Sequence, residues 1–295
     1  MAYTQRRAYL ELHLAVFLWG FTAILGDLIS LSALTLVWWR VFLTSLSILP
    51  FARLGSLVRE TGQRKLWILA GIGLLTGLHW VCFYGSIKLA NASIALICMA
   101  TTSLFSSLLE PLIVKRPFQW VELLLGIFIL PGIYLITTDS GGGMTSGILV
   151  GLAAAFLAAL FTTLNKRYMG DTSSARITLV ELGAATLFLP LFFIFQAGDA
   201  PFWPQPQDWL YLLVLALVCT TFTFFLSLRA LRELSAFATN LSINLEPVYG
   251  IILAHFLLND ADELNGKFYI GALIILLGVF SYPFLKKVGK RKTSR

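Results

Sequence analysis

Charge is scarce in this sequence. Only 13% of its 295 residues are Asp, Glu, Lys or Arg, while 58% are hydrophobic; soluble domains carry about 25% charge. A chain so composed cannot cover itself with polar surface in water, which excludes a disordered, fibrous or small disulfide-stapled protein. Cysteine is scarce too. Cys82, Cys98 and Cys219 all lie in apolar runs and form no CxxC pair, so neither a disulfide framework nor a zinc site is indicated. His13, His79 and His255 are far apart, no HExxH occurs, and no GxxxxGK[ST] phosphate loop or nucleophile signature is present. These absences weigh against an intramembrane enzyme and against an ATP-driven pump, and they call for no cofactor and no metal. The net charge of +7 would suit nucleic acid if it were gathered on one face. It is instead split into short clusters between apolar runs, which is the pattern of membrane topology, and no nucleic-acid partner is expected.

What is abundant is apolar sequence in lengths that cross a bilayer, roughly 20 residues for about 30 Å of hydrocarbon. Ten such stretches are predicted, at 9–29, 33–52, 66–87, 91–114, 119–138, 146–165, 177–196, 208–228, 235–258 and 268–285. Helices are required because backbone polar groups in lipid must be satisfied internally, and no alternating barrel pattern is present. The expected fold class is therefore all-α, a polytopic membrane protein. The linkers are too short for a soluble domain. With the N-terminus in the cytoplasm, nineteen of the 22 Lys and Arg residues fall inside. Only Lys88 and Lys267 fall outside, and Arg40 lies within a span. A miscounted helix would scramble that alternation. Both termini are expected in the cytoplasm, and the first apolar run, which carries Glu11 and His13, reads as a retained span.

The ten spans divide at the glycine run 141–143 into residues 1–140 and 141–295. Gly126 to Gly132 can be laid on Gly271 to Gly278, and Ser86-Ile-Lys88 on Ala230-Leu-Arg232, at offsets of 145 and 144. Five spans is an odd number, so the second half enters the membrane inverted, an arrangement recurrent among secondary transporters. Leu18-Trp19-Gly20-Phe21, Arg40 after Trp38-Trp39, Ser86 to Ser93, Glu246-Pro247 and Gly271…Gly278 together resemble the drug/metabolite transporter superfamily, specifically the EamA-type ten-helix permeases. The resemblance covers roughly residues 10–285. It implies an inner-membrane secondary carrier, often an exporter of amino acids, related metabolites or drugs. Its pathway would be lined mainly by spans one, three, four, six, eight and nine. An intramembrane enzyme or a non-transport membrane subunit is the alternative.

Ionisable groups inside a span cost about 2.5–3.5 kcal/mol on insertion scales, so each needs a reason. Glu246 lies mid-span with Pro247 beside it; Thr239 and Ser242 share its face, and Asn240 and Asn244 form an adjacent stripe. Such a stripe can bind a solute or join helices. Arg40 is expected to pair with a carboxylate, and Glu246 is the partner its depth suggests. The aromatic group His79, Trp80, Phe83 and Tyr84, with Trp19, suits a zwitterion bearing an apolar side chain. Thr102 and Tyr249 complete the substrate-binding candidates. Glu110, Glu181, Glu11 and His13 read as interfacial groups meeting loop cations, and Glu122 as a wetted helix-start acid. Gly71, Gly73 and Gly77, and Gly147 with Gly151, read as sites of close helix approach. A small-molecule substrate and membrane lipid are the expected partners, with protons a candidate co-substrate and either a monomer or a homodimer as the assembly.

Overall fold

A computed structural model describes residues 4–52, 55, 57–136, 145–195, 201–246, 248–250, 252–253 and 266–293. The glycine run 141–143, Pro247, His255 and the linker 259–265 lie outside them. The described residues form helices without a strand: α1 Gln5–Leu28, α2 Ala33–Ile48, α3 Leu57–Thr61, α4 Gln63–Leu89, α5 Ala92–Val114 and α6 Trp120–Ile136. They continue with α7 Thr145–Tyr168, α8 Ser174–Phe188, α9 Pro206–Leu213, α10 Thr223–Glu233, α11 Ala236–Ile243 and α12 Gly266–Thr293. A π-helical stretch, Val214–Phe222, joins α9 to α10, so that 206–233 is one rod of three windings.

Local chemistry sets the starts. The side chains of Thr4, Ser32, Asn91, Ser173 and Ser235 each accept a backbone N–H in the first turn that follows, taking up donors that a helix start leaves orphaned. Pro206 opens α9, where its missing N–H costs nothing. Among the described residues seven helices are long and apolar enough to cross a membrane, and the apolar stretches Trp120–Gly132 and Tyr269–Tyr282 are shorter. Each of the ten predicted stretches overlaps helix among the described residues, though some end residues are coil and the ninth is interrupted by a turn at Asn244 and Leu245. Large apolar side chains point outward, Leu112 at 75% and Ile194 at 80% exposure. Lipid tails accept such a surface at no cost, whereas water does not.

Inside, α4 packs between α7 and α8, α1 lies on α10, α2 lies on α8 and the π stretch, and α6 pairs with α12. α5 touches α6, α7 and α11. Glycine sets the closest crossing. A Cβ on Gly73 would sit 2.0 Å from the Glu181 carbonyl oxygen, and one on Gly147 2.5 Å from Ala90 Cβ. Gly151 is crowded by Cys98 at 2.8 Å, and Gly77 less so by Ala185 at 3.1 Å. Gly71 does not belong with them: nothing lies within 4 Å of its would-be Cβ, because it falls on the outer face of α4.

Candidate functional site

Arg40 is delivered by α2 to the protein interior, where only 1% of it is exposed. Its Nε donates to Thr220 Oγ1 at 2.7 Å, Nη1 to the Tyr84 hydroxyl at 2.9 Å and Nη2 to the Cys219 carbonyl at 3.4 Å. The guanidinium also lies over the Trp80 ring, 4.1 Å from its centroid, where the ring's negative face attracts a cation. The π stretch makes part of this possible. There the Thr220 and Thr221 hydroxyls donate to carbonyls five residues back, those of Leu215 and Ala216. That looser winding turns backbone oxygens toward neighbours, and Ala216 also receives the Thr44 hydroxyl.

Glu246, 7% exposed, stands in the helical turn that follows α11. Its Oε1 lies 3.3 Å from Thr22 Oγ1, a hydroxyl also 2.7 Å from the Trp19 carbonyl. The expected Arg40–Glu246 ion pair is absent. Hydroxyl, carbonyl and ring acceptors surround the guanidinium instead, and the two charges face one cavity without bonding each other. That cavity measures about 90 Å³, and α1, α2, α4, α5, α7, α10 and the 236–246 segment all supply its wall. All six spans expected to line the pathway contribute to it, and Arg40 adds span two.

Seven of the eleven sequence candidates line the cavity: Trp19, Arg40, His79, Trp80, Phe83, Asn240 and Glu246. The His79 ring is fixed by its Nδ1–H, which donates to the Ala154 carbonyl at 2.8 Å; a carbonyl can only accept, so the proton must sit on Nδ1. Phe83 and Phe161 flank that ring, with centroids 6.4 and 5.5 Å away. Trp19 is steered by its Nε1–H, which donates to Thr223 Oγ1 at 2.9 Å. The other four stand elsewhere. Tyr84 is fully buried behind Arg40 and serves as its acceptor. Asn244 donates to Ser103 Oγ at 3.0 Å, Thr102 is buried with its hydroxyl unpartnered, and Tyr249 packs edge-on against Phe17. The span-nine stripe thus joins helices and also reaches the cavity. Asn240 donates to Ser106 on α5 at 2.6 Å while it lines the cavity.

Other wall residues escaped the sequence reading. Thr22, Phe161, Asn165, Phe224 and Ser227 all face the cavity. Asn165, an amide in an apolar run, carried the same signal as Asn240. The π stretch left no signal, having neither Gly nor Pro.

The acids nearer the ends are tied into the structure. Glu110 accepts the backbone N–H groups of Ala236 and Phe237 at 3.0 and 2.9 Å, capping α11 from α5, and pairs with Arg116 at 2.9 Å. Glu122 is no wetted helix-start residue. It is 3% exposed, pairs with the same Arg116, and accepts the Tyr282 hydroxyl at 2.8 Å, because α12 covers it. Burial works to lower the affinity of Arg116 for its proton, but hydrogen bonds and charge from Glu110 and Glu122 outweigh it and raise its pKa above the ordinary value. Glu11 pairs with Arg7 and Arg229 as an interfacial acid should. Among the described residues His13 meets no cation; it stacks on Tyr9 and Phe280.

The sequence profile of the EamA-like transporter family matches this chain twice, over residues 6–138 and 145–282. YetK of Bacillus subtilis strain 168, described as an uncharacterized transporter, is 24% identical over 218 residues, covering 71% of this chain and 65% of its own length. An uncharacterized transporter of Archaeoglobus fulgidus is 26% identical over 259 residues, 86% of each chain. A protein of known crystal structure superposes with a TM-score of 0.75 over 96% of this chain and 98% of its own, at 18% identity, a likeness of fold alone. With the apolar helices and the buried charged cavity, these matches show that the chain belongs to the EamA-like transporter family, within the drug/metabolite transporter superfamily, and is a multi-pass membrane transporter.

Proposed function

We propose that the protein is a secondary transporter that moves a small metabolite across the membrane by alternating access, working as an exporter. One observation carries the reading: Arg40 and Glu246 line the same cavity without pairing. A solute bearing both signs can therefore meet a cation and an acid at once, with Trp80, Phe83 and Phe161 offering an apolar wall. The size agrees. A water needs roughly 10–15 Å³ of such space, so a cavity of about 90 Å³ suits an amino acid or related compound better than a large drug. Trp19, Arg40, His79, Trp80, Phe83, Asn240 and Glu246 are the proposed binding residues. Tyr84, Asn244, Thr102 and Tyr249 are proposed to support them from behind.

Alternating access rests on two inverted halves, 1–140 and 141–295, with ten spans in all and both termini in the cytoplasm. The double family match supports the duplication. Inversion is supported by how counterparts meet. Ser103 and Ser106 of α5 face Asn244 and Asn240, so the fourth and ninth spans run antiparallel. A Cβ on Gly132 of α6 would sit 2.9 Å from the Gly271 oxygen, while one on Gly278 would meet Ile129, so the fifth and tenth do the same. An odd number of spans per half requires that opposition.

The test is counterflow in proteoliposomes, screening amino acids, amines and nucleosides. Glu246→Gln should lower affinity or rate at least tenfold for the solute that wild type exchanges. Unchanged rate, affinity and pH dependence would remove Glu246 from the site.

A further inference from the structure

The substrate reading leaves a second buried carboxyl group unused. Glu181 lies seven residues beyond Ser174 on α8, about 10 Å along the helix axis from its start, and it has no exposed surface. Its Oε2 accepts a hydrogen bond from Asn165 Nδ2 at 3.2 Å. Its Oε1 and the Asn165 Oδ1 are both buried without a hydrogen-bond partner. From α4, the Gly73 backbone presses on the Glu181 main chain; α2 and α10 pack on the rest of α8. Several charged or titratable groups on those elements and on α7 are engaged elsewhere. Arg40 is on Tyr84 and Thr220, His79 on the Ala154 carbonyl, and Lys65 on the Met169 carbonyl. Lys166 binds the Leu231 and Arg232 carbonyls, Arg176 pairs with Glu60, and Arg229 with Glu11. Among the described residues no cation pairs with Glu181.

An ionised carboxylate in that place is uncompensated, which an apolar interior penalises heavily. It would also leave two acceptors, Glu181 Oε1 and Asn165 Oδ1, without a donor. One proton cures both defects. A carboxylic acid and a primary amide each offer a donor and an acceptor, so a proton on Oε1 removes the charge and turns one of two bare acceptors into a donor beside the Asn165 amide. We propose that Glu181 is a proton-binding site of the transport cycle, loaded in this conformation, and that Asn165, which lines the cavity, links its protonation to the cavity's state. The step is simple: the carboxylate takes one proton and becomes a neutral acid, and releases it when water reaches the site. Ionised, the pair presents two acceptors that must be hydrated, so the ionised form favours a conformation open to water there. Two conformations that bind a proton unequally are driven by a pH gradient. The inference rests on the cavity being the transport site, though the proton site itself can be tested without a solute.

Infrared difference spectroscopy on purified protein, titrated with acid, is the direct test. Wild type should show a protonated-carboxyl carbonyl band that loses a component in Glu181→Gln and keeps that component in Glu246→Gln. No loss in Glu181→Gln overturns the assignment. If that variant does not fold, Glu181→Asp keeps the acid on a shorter stem, and an unshifted band overturns it equally. In proteoliposomes Glu181→Gln, neutral and with a permanent donor, should keep counterflow, which needs no net proton movement, and lose accumulation driven by a pH gradient. Accumulation equal to wild type, or wild-type accumulation that follows a sodium gradient instead, overturns the proposal. Wild-type protein that exchanges no amino acid, amine or nucleoside counts against the cavity reading, and the infrared titration then decides Glu181 alone.

Discussion

Arg40 is held inside the membrane by dipoles and rings, with no acid bound to it. Each of its three hydrogen bonds goes to a neutral acceptor, which leaves its charge available to a ligand in the cavity. Removing one acceptor should be felt in stability before it is felt in binding geometry. Tyr84→Phe deletes the hydroxyl that accepts from Nη1, and a hydrogen bond to a charged group contributes about 1.5–3 kcal/mol. A lower melting temperature in detergent with the cavity residues intact is the expected outcome. An unchanged melting temperature would mean that water replaces the hydroxyl. Arg40 and Glu246 were legible as residues because charge in an apolar span stands out. Their failure to pair was not legible, since depth along two helices says nothing about the angle between them. Thr22 and Thr220 were invisible for a related reason: a hydroxyl in an apolar run is unremarkable until a charge is found beside it.

At the scale of elements, close helix crossings depend on which face a glycine occupies. Gly71 and Gly73 are two residues apart on α4 and point in different directions. Gly73→Ala would drive a Cβ into the Glu181 backbone, which cannot rotate away, and overpacking of this kind costs about 1–3 kcal/mol. Gly71→Ala meets nothing and removes a flexible residue from a helix, so its stability should hold or rise by up to about 1 kcal/mol. Thermal melting of the two variants side by side checks the α4–α8 packing, and equal losses would refute it. The π stretch belongs to this scale as well. Thr44 and Arg40 offer donors to its Ala216 and Cys219 carbonyls, tertiary contacts with no local sequence mark.

At the scale of the molecule, a small ionic cluster adds to the helix packing between the two segments that match the family profile, 6–138 and 145–282. Glu110 and Arg116 of the first half and Glu122 on α6 meet the N-terminus of α11 and Tyr282 of α12. Glu110→Gln keeps the shape and removes the charge from both Arg116 and the helix start, where an acid is favoured by about 0.3–1 kcal/mol or more when buried. A melting temperature several degrees lower is expected, with counterflow rate altered because the halves are less firmly joined. A variant that melts and transports like wild type would show the cluster to be incidental. Topology is checked by thiol labelling from outside. A cysteine at Lys115 should be protected in right-side-out vesicles and one at Gln205 labelled; the reverse would invert the orientation.

Apolar length, the absence of soluble linkers and the placement of Lys and Arg determined from sequence alone that this is a helical membrane protein, because the cost of charge and of bare backbone in lipid acts locally on each segment. The short list of buried charges followed from the same cost. Which of those charges share a cavity, and that Arg40 rests on Tyr84, Thr220 and Trp80 while Glu246 rests on Thr22, was decided only by tertiary packing. The same holds for Glu122 and Glu181, one tied to Arg116 and Tyr282 and the other left facing a lone amide. Helix-to-helix register is set by side chains meeting across distances of tens to hundreds of residues, and no single segment contains that information.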